Sequence, residues 1–149
     1  MIPQPTADPS RDPAAEARAE TLIRGYYAAF NAGDAAAMLA LLAEDVRHDV
    51  NQGARRVGKA AFAEFLAHMA RCYAERLEDV VVMASADGAQ GAATFTVHGT
   101  YLATDEGLPE ARGQRYVLPA GAFFEIAEGR IARVATCYNL PDWIAQVSA

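Results

Sequence analysis

Apolar positions recur along this chain with two different periods, and the change of period divides it. Leu22, Ile23, Tyr26, Tyr27 and Phe30 fall at i, i+1, i+4, i+5 and i+8, one stripe of a helix. Asp12-Pro13 supplies an N-cap followed by proline in the first turn, and Gly33 supplies a stop. Asp34 caps a second, short helix that turns Met38, Leu39, Leu41 and Leu42 inward. Val46, His48 and Val50 then alternate with Arg47, Asp49 and Asn51, the pattern of a half-buried strand ending in the turn Asn51-Gln52-Gly53. A third helix begins near Gly58 and keeps Phe62, Phe65, Leu66, Met69 and Tyr73 on one face.

The second half has period two. Residues 79–86 read as a strand closed by Asp87-Gly88, and residues 92–102 as a long one rich in Thr, Val, Phe and Tyr. A polar loop over 104–113 leads to strands at 116–126 and 131–139, joined by Glu128-Gly129. Pro141-Asp142 opens a last short helix carrying Trp143, Ile144 and Val147. Three helices followed by a meander without βαβ alternation predict an α+β cone. A curved antiparallel sheet wraps the N-terminal helices and leaves a central pocket at its wide end. Residues 1–13, with Pro3, Pro5, Pro9 and Pro13, read as an irregular arm that either covers the pocket mouth or lies loose; residues 14–149 read as one domain.

Composition narrows the partners. The 149 residues carry a formal net charge of −6 and no basic run. That excludes the electrostatic footprint of a nucleic-acid binder and the polybasic patch of a membrane-surface protein. No apolar run has the length of a membrane span and the first residues lack a signal-peptide pattern, so the expected location is cytoplasmic. Cys72 and Cys137 are then expected to be reduced, buried thiols. His48, His68 and His98 form no i, i+4 pair, and neither a phosphate loop nor a nucleophile elbow is present, so no metal and no cofactor is expected.

The run Tyr26-Tyr27-Ala28-Ala29-Phe30-Asn31-Ala32-Gly33-Asp34 resembles the nuclear-transport-factor-two-like superfamily. Leu42-Ala43-Glu44-Asp45-Val46, Glu128-Gly129-Arg130-Ile131, Tyr138 and Trp143 extend the resemblance over roughly residues 16–147. His48 to Gly53, His98 to Tyr101 and Leu118 to Glu125 look more narrowly like its ketosteroid isomerase-related, SnoaL-like members. The resemblance implies a cystatin-like cone, a cavity for a small apolar or carbonyl-containing molecule, and a homodimer formed through the exposed sheet face.

Ketosteroid isomerases pair a carboxylate base with a phenol and a protonated Asp that donate to an enolate; this enzyme is a standard worked case of carboxyl pKa tuning. By resemblance the phenol falls on Tyr26, which also lies on the inward helical stripe. The family's base position falls on Val50, one residue past Asp49, and its protonated Asp falls on Gly121, which has no proton to give. Strand alternation points His48 inward, with Asp49 inward only if a bulge re-aims it. Tyr26, His48 and Asp49 are therefore the candidate catalytic residues.

Phe30, Val50, Phe62 and Met69 are expected to line the pocket from the first half, and Phe95, Tyr101, Tyr138 and Trp143 from the second. Gly121, Phe123 and Glu125 share one strand face and are assigned to the pocket too, with Glu125 as a second proton-transfer carboxyl or a solvated strand-end acid. The expected activity is cofactor-free acid/base chemistry of an isomerase, cyclase or dehydratase on a hydrophobic carbonyl compound. A non-catalytic ligand-binding module and a dimerisation scaffold are the alternatives.

Overall fold

The computed structural model describes residues 8–149, so the first seven residues of the arm lie outside the description. Asp12 accepts a hydrogen bond from the Ala15 N–H and starts α1 (Pro13–Asn31), as its cap-proline pair predicts. Asp34 does the same for α2 (Ala35–Ala40) through the Ala37 N–H. Gly58 sits at φ 102°, a conformation glycine accepts readily, and leads into α3 (Lys59–Cys72). Asn139 caps α4 (Leu140–Ser148). No helix among the described residues is long and apolar enough to cross a membrane.

Six strands form one sheet: β1 (Leu42–Val50), β2 (Arg56–Val57), β3 (Tyr73–Ala84), β4 (Gln90–Tyr101), β5 (Arg115–Ala127) and β6 (Arg130–Tyr138), in the order β2-β1-β6-β5-β4-β3. The architecture is the expected α+β cone, with one difference: β1 runs parallel to β6, so the sheet is mixed. Two further differences concern β1 and β3. Leu42 starts β1 instead of ending α2, and β3 begins at Tyr73 directly after the last helical residue, Cys72. A bulge at Asp79, with φ 53°, resets the alternation of β3 midway.

The core gathers on the inner face. Ile23, Tyr26 and Tyr27 of α1 meet Phe95 of β4 and Phe124 of β5, and Ile131, Val134, Trp143 and Val147 close the far side. The aromatic rings meet mostly edge to face: Tyr26 lies 5.1 Å from Tyr27 and 5.8 Å from Phe124 between centroids. Asn31, the last residue of α1, clamps edge strand β3 by donating to the Leu77 carbonyl and accepting from the Leu77 N–H, both at 2.9 Å. Cys72 is buried, but Cys137 is exposed on the outer face, against expectation; both thiols are free.

Candidate active site

The inner face leaves a cavity of about 840 Å³, the size of a small-molecule site. Apolar and aromatic side chains make most of its wall: Phe30, Met38, Val50, Leu66, Met69, Phe95, Leu118 and Trp143 among them. Polar groups are fewer, and those of the strands and helices are placed by strand register or helical phase.

Glu75 is the carboxyl the sequence pattern did not reveal. It stands opposite Gly99 on β4, which in turn stands opposite Tyr116 on β5. A Cβ built on Gly99 would fall inside the Tyr116 ring, so only glycine lets that ring lie across β4. The Tyr116 ring thereby lies over β4 between Glu75 and Trp143, its centroid 5.9 Å from that of the indole. The surface Glu75 retains faces the cavity. Burial raises its pKa to about 7, partly offset by the Tyr116 hydroxyl. Tyr138 lines the same region, and its hydroxyl pKa is raised by burial and then by the Glu75 charge.

Tyr26 and Tyr27 project from α1 into the cavity wall. Burial raises the Tyr26 hydroxyl far above the ordinary phenol range. The Tyr27 hydroxyl is raised by burial and then by Tyr26. Both are hydrogen-bond donors throughout the physiological pH range and not acids.

His48 lines the cavity, 3% exposed, its ring centroid 4.3 Å from that of Phe62 and 4.6 Å from that of Phe65. Burial, and next the Arg56 charge, push its pKa down to about 4, with Asp49 pulling the other way. The imidazole is thus neutral at neutral pH. Its Nδ1 is the one buried side-chain polar atom among the described residues with no hydrogen-bond partner.

Asp49 is on the opposite face, and this corrects its place among the catalytic candidates, which required a bulge to turn it inward. β1 carries no bulge at Asp49, so alternation holds and sends it outward. There Arg55 takes both carboxylate oxygens at 2.8 Å and Arg133 donates at 2.9 Å. The Arg55 hydrogen bond, with Arg133 adding to it, holds the carboxyl far below its usual range. A base saturated in this way has no lone pair directed at the cavity.

The assignment of Gly121, Phe123 and Glu125 to the pocket is also corrected. On β5 the inward residues are Tyr116, Leu118, Ala120, Ala122 and Phe124, of the other parity. Phe123 is 59% exposed, and Glu125 pairs with Arg47 at 3.0 Å on the outer face. Phe62 and Tyr101 are core residues behind the wall. The Tyr101 hydroxyl instead fastens the loop between β4 and β5, donating to the Pro109 carbonyl at 2.7 Å and accepting from the Asp105 N–H at 2.8 Å. Phe30, Val50, Met69, Phe95, Tyr138 and Trp143 line the cavity.

At the rim, Asp105 accepts from the Tyr73 hydroxyl at 2.6 Å and meets His68 Nε2 at 2.9 Å. With Cys72 these side chains bring three ligand-type atoms within 4.8 Å of one another, a donor set that suits zinc by type. Asp105 is already hydrogen-bonded through both oxygens and Cys72 is sealed at the helix end, so the set serves here to join α3 to the loop. His98 is remote from it, on the outer face beside Glu78 at 3.2 Å.

A mixed, curved sheet wrapped around an aromatic cavity with a half-buried carboxyl, Glu75, on its wall defines a pocket protein of the nuclear-transport-factor-two-like kind. The chain belongs to the SnoaL-like domain family of that superfamily, whose pattern matches residues 23–134. A protein of Pseudomonas putida KT2440, provisionally named a polyketide cyclase, is 66% identical over 87% of this chain and 97% of its own, with a TM-score of 0.86. A second with the same provisional name, from Silicibacter sp. TM1040, is 60% identical over 88% of this chain and 96% of its own, with a TM-score of 0.86. An epoxide hydrolase of M. tuberculosis, 16% identical over 89% of this chain and 86% of its own with a TM-score of 0.68, shares the fold. No match is found among curated proteins.

Proposed function

We propose that this chain catalyses cofactor-free proton transfer on an apolar carbonyl compound held in the cavity, as an isomerase, cyclase or dehydratase does. The observation that carries this is Glu75, a carboxyl with its pKa near neutrality on the wall of an aromatic cavity, beside the Tyr116 ring that lies over Gly99. As the carboxylate it takes a proton from a carbon next to the carbonyl. As the acid so formed it returns that proton to another carbon or to a departing hydroxyl. The Tyr26 and Tyr27 hydroxyls donate to the developing enolate oxygen in surroundings that strengthen such bonds. His48, neutral, orients the ligand. The provisional polyketide cyclase name of the 66% and 60% identical relatives supports a ring-forming carbonyl substrate.

The test is exchange of the α-protons of 2-tetralone in heavy water, followed by NMR. Enzyme-dependent exchange that falls at least a hundredfold in Glu75→Gln supports the reading. Exchange no faster than in buffer, with the ketone bound, sinks it in favour of the ligand-binding module. We infer also that two copies pair through the outer sheet face, where Val81, Met83, Val117 and Phe123 are exposed.

A further inference from the structure

The cavity has a second end. β2 and β3 are the opposite edges of the sheet, so Arg56 on β2 and Glu75 on β3 approach the cavity from opposite sides. Arg56 stands directly across from His48 in the β1–β2 pair. Its guanidinium carbon lies 5.2 Å from the centroid of Phe65, which also walls the cavity.

Three neighbouring arginines are ion-paired: Arg47 with Glu125, and Arg55 and Arg133 with Asp49, which they share. Arg56 forms no salt bridge among the described residues. Glu64 shares with it a smaller side pocket of about 370 Å³ but does not pair with it. A guanidinium on an aromatic platform, with its fork of N–H donors uncommitted, is suited to a planar oxyanion. Beside it, the His48 imidazole is buried with Nδ1 unpartnered. Buried polar groups in native proteins are rarely left so, and a ligand is one of the partners that accounts for the exception.

The geometry points to an anion subsite at this end of the cavity, built on Arg56 with His48 beside it, so that the ligand is an apolar acid whose carboxylate sits remote from Glu75. This rests on the cavity reading above and names its substrate class. The arrangement is electrostatically coherent. The anionic head meets the unpaired guanidinium, the apolar body fills the aromatic middle, and the reacting carbon reaches the opposite edge strand. An acid bound the other way round would place two carboxylates together at Glu75.

The experiment compares 2-naphthoate with 2-naphthamide, nearly the same shape and differing in charge, by calorimetric titration at pH 7.5. The wild type is expected to bind the naphthoate at least tenfold more tightly. Arg56→Gln is expected to bring the two to within about twofold of each other while leaving the naphthamide affinity and the melting temperature unchanged. The preference is also expected to shrink as salt is raised. Equal affinities in the wild type, or a preference that survives Arg56→Gln, overturn the anion subsite and leave the cavity reading standing. Binding of neither compound to folded protein overturns the cavity reading itself, and the subsite with it.

Discussion

Tyr116 lies across Gly99, with Glu75 in register one strand further on. The glycine is what makes this placement geometrically possible. Gly99→Ala forces a methyl group into the ring position, and overpacking of this kind costs about 1–3 kcal/mol. The expected result is a fall in melting temperature together with a loss of proton exchange. Tyr116→Phe alone keeps the ring over Gly99 and removes the hydroxyl, and it should lower exchange while leaving the melting temperature nearly unchanged. Unchanged exchange would show that Tyr116 merely fills space.

Glu75 sets the pH behaviour. As the base it must be ionised, so kcat/KM is expected to rise with pH and level off above about 7. Stability runs the other way. A carboxyl whose folded pKa is raised contributes stability below its unfolded pKa, near 4.3, and loses it as pH climbs through about 7. Glu75→Gln should therefore flatten the stability profile between those values, by on the order of 2 kcal/mol once cavity water is allowed for. Chemical denaturation at pH 5 and pH 8 measures both arms. An unchanged profile in the variant rules out the raised pKa.

Asp49 gives the contrasting case. Its carboxylate holds Arg55 and Arg133 on the outer face. Asp49→Asn is expected to cost about 1.5–3 kcal/mol, the usual scale for hydrogen bonds to charged groups, and to change exchange rates less than threefold. Because the folded pKa is depressed, this stability is present above pH 4 and disappears as pH falls through the folded value. A hundredfold loss of exchange with intact stability would return Asp49 to the catalytic role the sequence suggested.

His48→Leu removes the unpartnered Nδ1 while keeping the volume near that of the imidazole. The melting temperature should hold or rise, since an unsatisfied buried group is lost. Naphthoate affinity should nonetheless fall several-fold, as expected of a residue retained for a ligand. A destabilised variant with unaltered affinity would mark His48 as a packing residue.

Phe123→Glu tests the pairing of copies. Phe123 is 59% exposed on the outer face; the wild type is expected to run as a dimer in light scattering, and a charge there should give a monomer. A dimer that persists in the variant sends the interface elsewhere.

Much of the fold could be read from the chain because the signals were local. The α1 stripe, the caps at Asp12 and Asp34, and the alternation of Phe95, Val97 and Tyr101 each belong to one element. The site was harder. Tyr73 follows Met69 at helical spacing and precedes Glu75 and Leu77 at strand spacing, so the pattern does not show where the helix stops. Reading Tyr73 as helical hid Glu75. The bulge at Asp79 then erased the phase relation that could have revealed it. On β5 the reverse happened. Counting from a family motif assigned Gly121, Phe123 and Glu125 to the pocket, whereas the burial of Tyr116, Leu118 and Phe124 shows the other parity inward. Counting along one strand cannot fix parity when the motif it starts from lies beyond a turn. The parallel pairing of β1 with β6 has no local signature at all.

That pairing also shapes how the molecule assembles. Strands β3 to β6 are joined to their neighbours in sequence and zip by short excursions of the chain. The seam between β1 and β6 pairs Arg47 with Arg133, 86 residues apart by the difference 133 − 47, and Leu42 with the still more distant Ile131. Closing so long a loop is entropically expensive and slows the step that needs it. The meander is thus the natural scaffold on which α1, α2 and β1 dock late. The cavity, walled by both halves, comes into existence only when this seam shuts, so ligand present during refolding should rescue the final step and not the first.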